Sequence, residues 1–277
     1  MRMCNIKTID ISSLTNNRIV VDVSSYLYIY KADDALIANM TKHILLYTDN
    51  YITPIFVFDG KPKEIKNRTL QIRQKEKAIA RTTYDSLENA SETTMKQLKK
   101  KFTKISRQDV IQVKELMDSM GIQYIQAPNE ADEICARMML TDKTIRVVVS
   151  DDTDMLLNGC PRVVRCIDLN TGTGMYYNLK HILKCLHMRP IEFKQLCVIS
   201  GTDYYETPYN LYHYIRLFRQ YKKSTYTDYY NWLESNGHLP DRHQLMLAFD
   251  MFDAIKSTNL DTFIPRVQSP PLLAWTS

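Results

Sequence analysis

Three apolar segments of this sequence end in, or lead directly into, aspartate. RIVVD ends at Asp22, PIFVFD ends at Asp59, and IRVVVSDDTD carries Asp152 and Asp154 just beyond its apolar run. Short runs rich in Val, Ile and Phe predict buried β-strands. Packing alone does not explain a carboxylate at the end of a buried strand three times over. The pattern therefore favours a fold in which the ends of several strands meet at one chemical site.

The order of the predicted elements indicates the fold class. Apolar strand-like runs alternate with segments of helical periodicity, which is typical of an α/β domain with a mainly parallel central sheet. The predicted strands cover residues 18–23, 51–58, 122–126, 145–149, 162–168 and 175–178, and the predicted helices cover residues 24–48, 106–120, 128–140 and most of 179–256. The segment 61–105 is polar and basic, and we expect one or two exposed helices there.

In an open α/β sheet the carboxyl ends of the strands line one crevice, where ligands bind. Asp22, Asp59, Asp152 and Asp154 would converge in that crevice. Clustered carboxylates repel one another and raise one another's pKa unless a cation neutralises them. Oxygen ligands favour Mg²⁺ or Mn²⁺ over Zn²⁺. The strand ends therefore predict a divalent metal site.

Three further acidic residues fit this site less directly. Glu130 and Asp132 fall in the first turn of a predicted helix, where acids also favour the helix dipole. Positions i and i+2 of a helix diverge by about 200°, so these two could share a site only if the ions lie off the helix end. Glu133 lies on the Glu130 face and is a rival ligand. Asp203 follows the buried run LCVISGT and could instead be an N-cap.

The charge of the chain is unevenly distributed. The sequence holds 36 Lys+Arg and 31 Asp+Glu, a net charge of +5, but residues 61–107 hold 14 Lys/Arg and 5 Asp/Glu, a local +9. The remainder is therefore 5 − 9 = −4. A basic segment on an acidic body suggests an anionic polymer as partner, although a solvated helical face is the ordinary alternative.

Glycine and hydrophobic content exclude several classes of protein. The chain has only 7 glycines and contains neither G-x-G-x-x-G nor G-x-x-x-x-G-K-[ST], so phosphate would have to be bound by side chains and metals. No apolar run approaches 18 residues, which predicts no transmembrane helix, and we expect no membrane partner. The first residues lack a continuous apolar stretch of the secretory type, and the six cysteines form no C-x-x-C pair. We therefore expect an intracellular protein.

Five short motifs, in this order, resemble the flap endonuclease/XPG-type 5′ nuclease family: VVDVSSYLY, VFDGKP, MGIQYIQAPNEADEICA, VVSDDTDML and CVISGTDYY. The resemblance covers roughly residues 18–205. It implies a PIN-like fold, with a mainly parallel central sheet flanked by helices, a basic helical arch at about 61–107 and a helical C-terminal region. Residues 1–205 would form the nuclease core, and residues 206–277 a duplex-binding helical region with an irregular tail.

The resemblance also implies a two-metal phosphodiesterase that uses two Mg²⁺ ions, for which Mn²⁺ can substitute. The first ion would be served mainly by Asp22, Asp59, Glu130 and Asp132, and the second mainly by Asp152, Asp154 and Asp203. This assignment makes Glu133 the less favoured ligand. Asp132 departs from the family, which usually has Glu there, so its shorter side chain would need a bridging water.

The family resemblance gives roles to basic and aromatic residues as well. Lys66 and Arg73 match its two active-site cations and, seven residues apart, would share one helix face and grip the scissile phosphate. Taken alone, both would be read as solvated charges. Tyr28 matches an aromatic residue that stacks on a base, while its other interpretation is a core tyrosine. The remaining predicted nucleic-acid contacts are Lys61, Lys63, Lys75, Lys77, Arg81, Lys99, Lys100 and Lys101.

The sequence departs from the family in one region that affects substrate choice. The family has a Gly-rich hairpin after the last acidic motif, but residues 202–236 contain no glycine. The tyrosines of this stretch, together with Arg216, Arg219, Lys222 and Lys223, are candidates to replace that grip through side-chain contacts to phosphate. No sliding-clamp peptide is recognisable in the sequence. We expect a monomer. The size of the chain is compatible with a viral or otherwise divergent member of the family.

These features lead to three hypotheses about function. The first is a structure-selective 5′ nuclease that cleaves DNA flaps, nicks or free 5′ ends in replication, repair or recombination. The second is an endoribonuclease of the same fold that degrades RNA. The third is a catalytically inactive PIN-like binding protein, against which the seven intact acidic positions argue. The first places the protein in the nucleus or another site of DNA replication, or in the cytoplasm if it is viral.

Overall fold

The computed structural model describes residues 6–61, 67–87, 91–239 and 241–252. Its centre is a seven-stranded sheet with the strand order β1-β7-β6-β5-β2-β3-β4. The strands are β1 Lys7–Asp10, β2 Arg18–Asp22, β3 Thr53–Phe58, β4 Gln123–Gln126, β5 Ile145–Val149, β6 Arg162–Asp168 and β7 Thr173–Asn178. Strands β4, β3, β2, β5 and β6 pair in parallel, and only β7 and β1 pair antiparallel to their neighbours. The predicted mainly parallel α/β fold is confirmed.

The strand order reverses beside β2. The chain runs from β2 outward through β3 to β4 and then returns to the other side of β2 as β5. Such a reversal opens a crevice at the carboxyl ends of the two central strands, because the connecting segments leave in opposite directions. Asp22 ends β2, and Ser150 directly follows β5, so both lie at this crevice.

The sheet is covered on both faces. One face packs Val21, Phe56 and Val149 against α1 Ser24–Ala32, α2 Leu36–Thr48 and α5 Arg107–Ser119. The opposite face packs Val20, Val57 and Val148 against α6 Ala131–Thr141. Successive strand residues point to opposite faces, so a strand that is apolar at every position must be buried on both sides. The continuous apolar runs of the sequence thus have a direct structural cause.

A third core lies in the helices that follow the sheet. It is formed by α9 Pro190–Ile199, α10 Leu211–Tyr221, α11 Tyr229–Ser235 and α12 Arg242–Asp250, around buried rings such as Tyr214, Phe218 and Tyr229. The short helix α8 Leu179–Leu186 leads from β7 into α9, and α7 Asp154–Leu157, between β5 and β6, packs against α9 through Leu157. The predicted irregular tail lies beyond the described residues. Among the described helices, none has both the length and the apolarity needed to cross a membrane.

Several predicted boundaries were wrong. The helix predicted for 24–48 is two helices, because Asp34 adopts a positive φ of 55° between α1 and α2. Strand β1 was not predicted, since KTID is a short edge strand that mostly faces solvent. The basic segment forms two helices, α3 Asn67–Ser86 and α4 Glu92–Phe102. This agrees with the expectation of one or two exposed helices.

The helix predicted from residue 128 instead begins at Ala131. Glu130 is its N-cap and has the extended angles φ −96° and ψ 142°. Only Asp132 and Glu133 therefore occupy the first turn. This removes the geometric objection to a shared site, because Glu130 and Asp132 are not two helical positions 200° apart.

Candidate active site at the carboxyl ends of the central strands

Asp22 lies at the centre of the crevice and is 5% exposed. Its Oδ2 accepts a 2.8 Å hydrogen bond from the Ser150 hydroxyl, and its Oδ1 accepts one of 3.1 Å from the Ser24 amide. Burial, and then the nearby charge of Asp59, raises the pKa of Asp22 to about 7. A carboxylate that is costly to ionise in this place gains most from a bound cation.

Asp59 connects the end of β3 to the start of α6. Its Oδ1 accepts a 2.8 Å hydrogen bond from the Ala131 amide, which is one of the free N–H groups of that helix terminus. Gly60 then passes so close to the 127–129 segment that an added Cβ would lie 2.2 Å from the Ala127 carbonyl oxygen. A larger residue at position 60 would therefore push the Asp59 turn away from α6.

Glu130 and Asp132 lie on either side of that helix start, and both are partly exposed. The Tyr204 hydroxyl donates a hydrogen bond of 2.5 Å to Glu130 Oε2. Burial, followed by this hydrogen bond, raises the pKa of Tyr204, which keeps the phenol protonated as a donor. Asn158 Nδ2 lies 3.5 Å from Asp132 Oδ2. Glu133 is only 7% exposed, so it is less accessible to a ligand in the crevice.

Asp152, Asp154 and Asp203 line one open cavity of about 660 Å³, together with Arg73. Asp152 Oδ1 accepts a 2.8 Å hydrogen bond from the Asp154 amide, which fixes the turn into α7. Asp203 lies in the loop between α9 and α10, eight residues before the start of α10, so it is not the N-cap that the alternative interpretation supposed. The cavity thus combines three predicted metal ligands and one predicted phosphate-binding cation.

Arg73 reaches this cavity from α3. Its Nη2 donates a hydrogen bond of 2.6 Å to Asp203 Oδ1, and the arginine side chain remains 53% exposed. The guanidinium therefore lies within the acidic site rather than on a solvated helix face. Lys66, the second predicted active-site cation, lies outside the described residues.

Two side chains that the sequence did not single out hold the acidic groups together. Ser150 is fully buried, donates to Asp22 and accepts a 3.1 Å hydrogen bond from the Asp152 amide. Tyr204 is adjacent to Asp203 and contacts Glu130. Ser150 and Tyr204 therefore link the acids of the two predicted metal groups. Nothing in the sequence pattern marks a serine or a tyrosine for this role until the strands are placed side by side.

The carboxylates do not form a closed coordination shell on their own. Within the described residues, no three Asp, Glu, His or Cys side chains are close enough together to hold one ion. They nevertheless share one neighbourhood. Burial raises the pKa of the Cys135 thiol, and the charges of Asp22, Asp132 and Asp59 raise it further. All-oxygen donors with excess negative charge fit a hard divalent cation.

Several of the predicted nucleic-acid contacts lie next to Arg73 on α3 and α4, where Arg73, Lys77 and Lys101 line one neighbouring cavity. Lys77 lies over the Tyr28 ring at 5.2 Å, and Tyr28 is 42% exposed, so it is not a core tyrosine. Burial, and then the charges of Lys104 and Arg73, lowers the pKa of Lys77. Lys99 is paired with Asp34, which joins α4 to the α1–α2 turn. Lys61, Lys75, Arg81, Lys100 and Lys101 are exposed. Lys63 lies outside the described residues.

Comparison with known proteins gives matches to both halves of this site. Family models for the XPG N-terminal domain and the XPG I-region match residues 1–80 and 121–203. The chain is 31% identical over 215 residues to flap endonuclease 1 of Methanococcus aeolicus, across 72% of this chain and 66% of that protein. It is 27% identical over 221 residues to flap endonuclease 1-B of Xenopus laevis, across 73% of this chain and 58% of that protein. The chain thus spans less than two thirds of the length of these relatives.

Among solved structures, the fold is similar to the catalytic core of Rad2 in complex with DNA substrate. The TM-score is 0.65 at 21% identity, and the match covers 90% of this chain and 82% of that one. At 21% sequence identity this similarity shows a shared fold alone. The seven acidic positions and Arg73 all fall inside the two segments that the family models match.

Proposed function

The chain belongs to the XPG family of nucleases, and from that premise we propose that it hydrolyses phosphodiester bonds of DNA at 5′ flaps, nicks or free 5′ ends with the help of divalent metal ions. The observation that carries the proposal is the convergence of its acids at the strand-order reversal. Asp22 and the 152–154 turn are joined there through Ser150. Arg73 enters the same site from α3.

The residues fit the proposed metal ions in kind and in charge. The first ion would be held by Asp22, Asp59, Glu130 and Asp132, and the second by Asp152, Asp154 and Asp203. Bound there, divalent metal would lower the pKa of a water molecule and stabilise the charge that develops on the phosphate. Because the described side chains form no closed shell, ion binding would require the carboxylates to turn toward it.

The protein's own cations would orient the substrate. Arg73 now pairs with Asp203, and a phosphate in the cavity would offer the same guanidinium a second, bidentate partner. With the phosphate held by Arg73 and Lys66, the basic region of α3 and α4 would track the rest of the strand. Neither Ser150 nor Tyr204 would act on the phosphate, and their task is to hold Asp22 and Glu130 in place.

The DNA assignment rests on the family, since the curated relatives above are flap endonucleases. The similar Rad2 structure is a complex with a DNA substrate, and its fold matches most of this chain. No relative named above acts on RNA by its name. Cleavage of RNA is therefore an outcome of the test rather than a second proposal.

The substrate is tested with a matched set of oligonucleotides. The purified chain is incubated with Mg²⁺ and 5′-flap DNA, nicked duplex, single-stranded DNA, blunt duplex and structured RNA of equal length. We expect cleavage of flap or nicked DNA well above that of blunt duplex. Cleavage of RNA alone would replace the DNA proposal by the endoribonuclease. No cleavage of any of them, in Mg²⁺ or Mn²⁺, would reject both activities.

A further inference from the structure

Tyr209 and His213 form a stacked pair of rings at the surface. Their ring centroids are 4.2 Å apart and their planes differ by 12°. Tyr209 lies two residues before α10, His213 lies in its first turn, and the tyrosine remains 49% exposed. An exposed flat ring that is already ordered is suited to stack on another flat ring.

The local structure holds this pair firmly in place. The His213 ring meets the buried Tyr214 ring edge-on at 5.3 Å. The Tyr214 hydroxyl in turn lies 2.7 Å from the Thr207 hydroxyl, and Asn210 caps α10 by accepting a hydrogen bond from the His213 amide. Little side-chain entropy would therefore be lost when a ligand stacks on Tyr209.

The stacked pair borders the candidate active site. Tyr209 lines the same cavity as Asp152, Asp154, Asp203 and Arg73. A group that stacks on Tyr209 would thus lie next to the acidic residues. The catalytic role proposed above for the cavity does not use this side chain.

The exposed face of α10 adds positive charge beside the rings. Tyr212 is 81% exposed, and Arg216, Arg219 and Lys223 follow it at helical spacing, all exposed. Burial, and then the nearby charges of Arg216 and His238, lowers the pKa of His213, so the imidazole is largely neutral near pH 7. Alternating rings and cations are typical of surfaces that bind single-stranded nucleic acid.

We propose that Tyr209, backed by His213, stacks on an unpaired base of the nucleic acid beside the acidic cavity, and that Arg216 binds the phosphate of the same strand. The inference rests on the proposed nuclease function and adds a binding site to it. An unpaired base is required, because the faces of paired bases within a duplex are already covered by their neighbours.

The test measures binding without cleavage. Wild type, Tyr209→Leu and Tyr209→Phe are titrated in EDTA with a single-stranded oligonucleotide that carries 2-aminopurine, whose fluorescence is quenched by stacking. We expect Tyr209→Leu to bind on the order of 10-fold more weakly and to lose the quench, because the loss of one stacking ring has about this effect. Tyr209→Phe should stay within about twofold of wild type, since the ring is kept.

Two controls separate this role from a structural one. Tyr51→Asn changes a tyrosine that is 77% exposed and adopts a positive φ, which Asn tolerates. Tyr51 precedes the amino end of β3, whereas the candidate site lies at the carboxyl ends of the strands. This variant should bind like wild type. Arg216→Gln should reduce the dependence of affinity on salt, because it removes one phosphate contact. Circular dichroism and thermal melting check that every variant is folded.

These experiments separate failure of the stacking site from failure of the nuclease proposal. If the chain cleaves nothing but Tyr209→Leu loses affinity and quench, the stacking site stands and the catalytic proposal fails. If a folded Tyr209→Leu variant binds and quenches like wild type, the stacking site is wrong whatever the activity. An equal loss of affinity for blunt duplex would also overturn it, because a duplex offers no unpaired base.

Discussion

The Ser150 hydroxyl donates a 2.8 Å hydrogen bond to Asp22 Oδ2 across the point where the strand order reverses. Both groups are buried, and they are 128 residues apart in the chain. This contact joins the carboxyl ends of β2 and β5. It fixes the orientation of the most buried acid in the candidate site.

Ser150→Ala should reveal the strength of this contact. The change leaves one oxygen of a buried carboxylate without a donor, which costs about 1–3 kcal/mol of unfolding free energy. Urea titration at pH 7.5 measures the loss. In the Asp22→Asn background the same change should cost about 1 kcal/mol less, because the Ser150 hydroxyl then faces a neutral amide instead of a carboxylate. An equal cost in both backgrounds would show that Ser150 acts independently of Asp22.

Arg73→Gln should lower the cleavage rate by on the order of 100-fold, because one donor to the developing charge is lost. Substrate affinity should fall much less. Single-turnover rates and separate binding titrations measure the two effects. Arg242→Gln is the matched control, since Arg242 pairs with Glu234 at the surface and is not among the residues that line the cavity. Equal losses of rate and affinity for Arg73→Gln would refute its role at the scissile phosphate.

Mg²⁺ or Mn²⁺ should raise the thermal midpoint of the folded chain. An ion at 100 times its dissociation constant adds about 2.7 kcal/mol to stability. Asp22→Asn should lose most of this shift, whereas Asp49→Asn, at the C-cap of α2, should keep it. The absence of any shift in wild type at millimolar ion would contradict the proposed metal site.

His43 makes stability depend on pH. It is fully buried between the Tyr30 and Tyr47 hydroxyls, at 3.0 and 2.7 Å, and burial lowers its pKa from 6.5 to about 3. Above pH 6.5 the histidine is neutral whether the chain is folded or unfolded. Below that pH only the unfolded chain takes up the proton. The free energy of unfolding therefore decreases as the pH is lowered from 6.5 to about 3.

The expected loss from His43 between pH 7.5 and pH 5 is about 2 kcal/mol of unfolding free energy. Urea titration at the two pH values measures it in wild type and in His43→Gln, which keeps a donor and an acceptor for the two tyrosines. The variant should show a difference smaller by this amount. The exposed His243→Gln should behave like wild type. An unchanged difference in His43→Gln would exclude His43 as the cause.

The fold was largely predictable because its strands are buried on both faces. Val20 and Val21 point to opposite cores, and such doubly buried runs are visible in the sequence as unbroken apolar segments. The break at Asp34 was missed because the helical periodicity of 24–48 continues across it. Strand β1 was missed because its partner β7 lies more than 160 residues away, so no local pattern marks it.

The candidate site was predictable only in its acids. Asp22, Asp59 and Asp152 stand out because carboxylates at buried strand ends are unusual. Ser150 and Tyr204 do not stand out, since their partners Asp22 and Glu130 are distant in sequence and adjacent only once the sheet is assembled. The pairing of Arg73 with Asp203 could not be predicted from the sequence either, because an arginine in a basic helix is indistinguishable there from a solvated charge.

The central claim is that the acids at the strand-order reversal are the centre of a metal-dependent DNA nuclease. It is tested most directly by the cleavage of 5′-labelled flap DNA by wild type, Asp152→Asn and the control Asp49→Asn, each with Mg²⁺ and with EDTA. We expect wild type and Asp49→Asn to cleave with Mg²⁺ only, and Asp152→Asn to fall to background while remaining folded. Cleavage by wild type in EDTA, or by Asp152→Asn at the wild-type rate, would contradict the account.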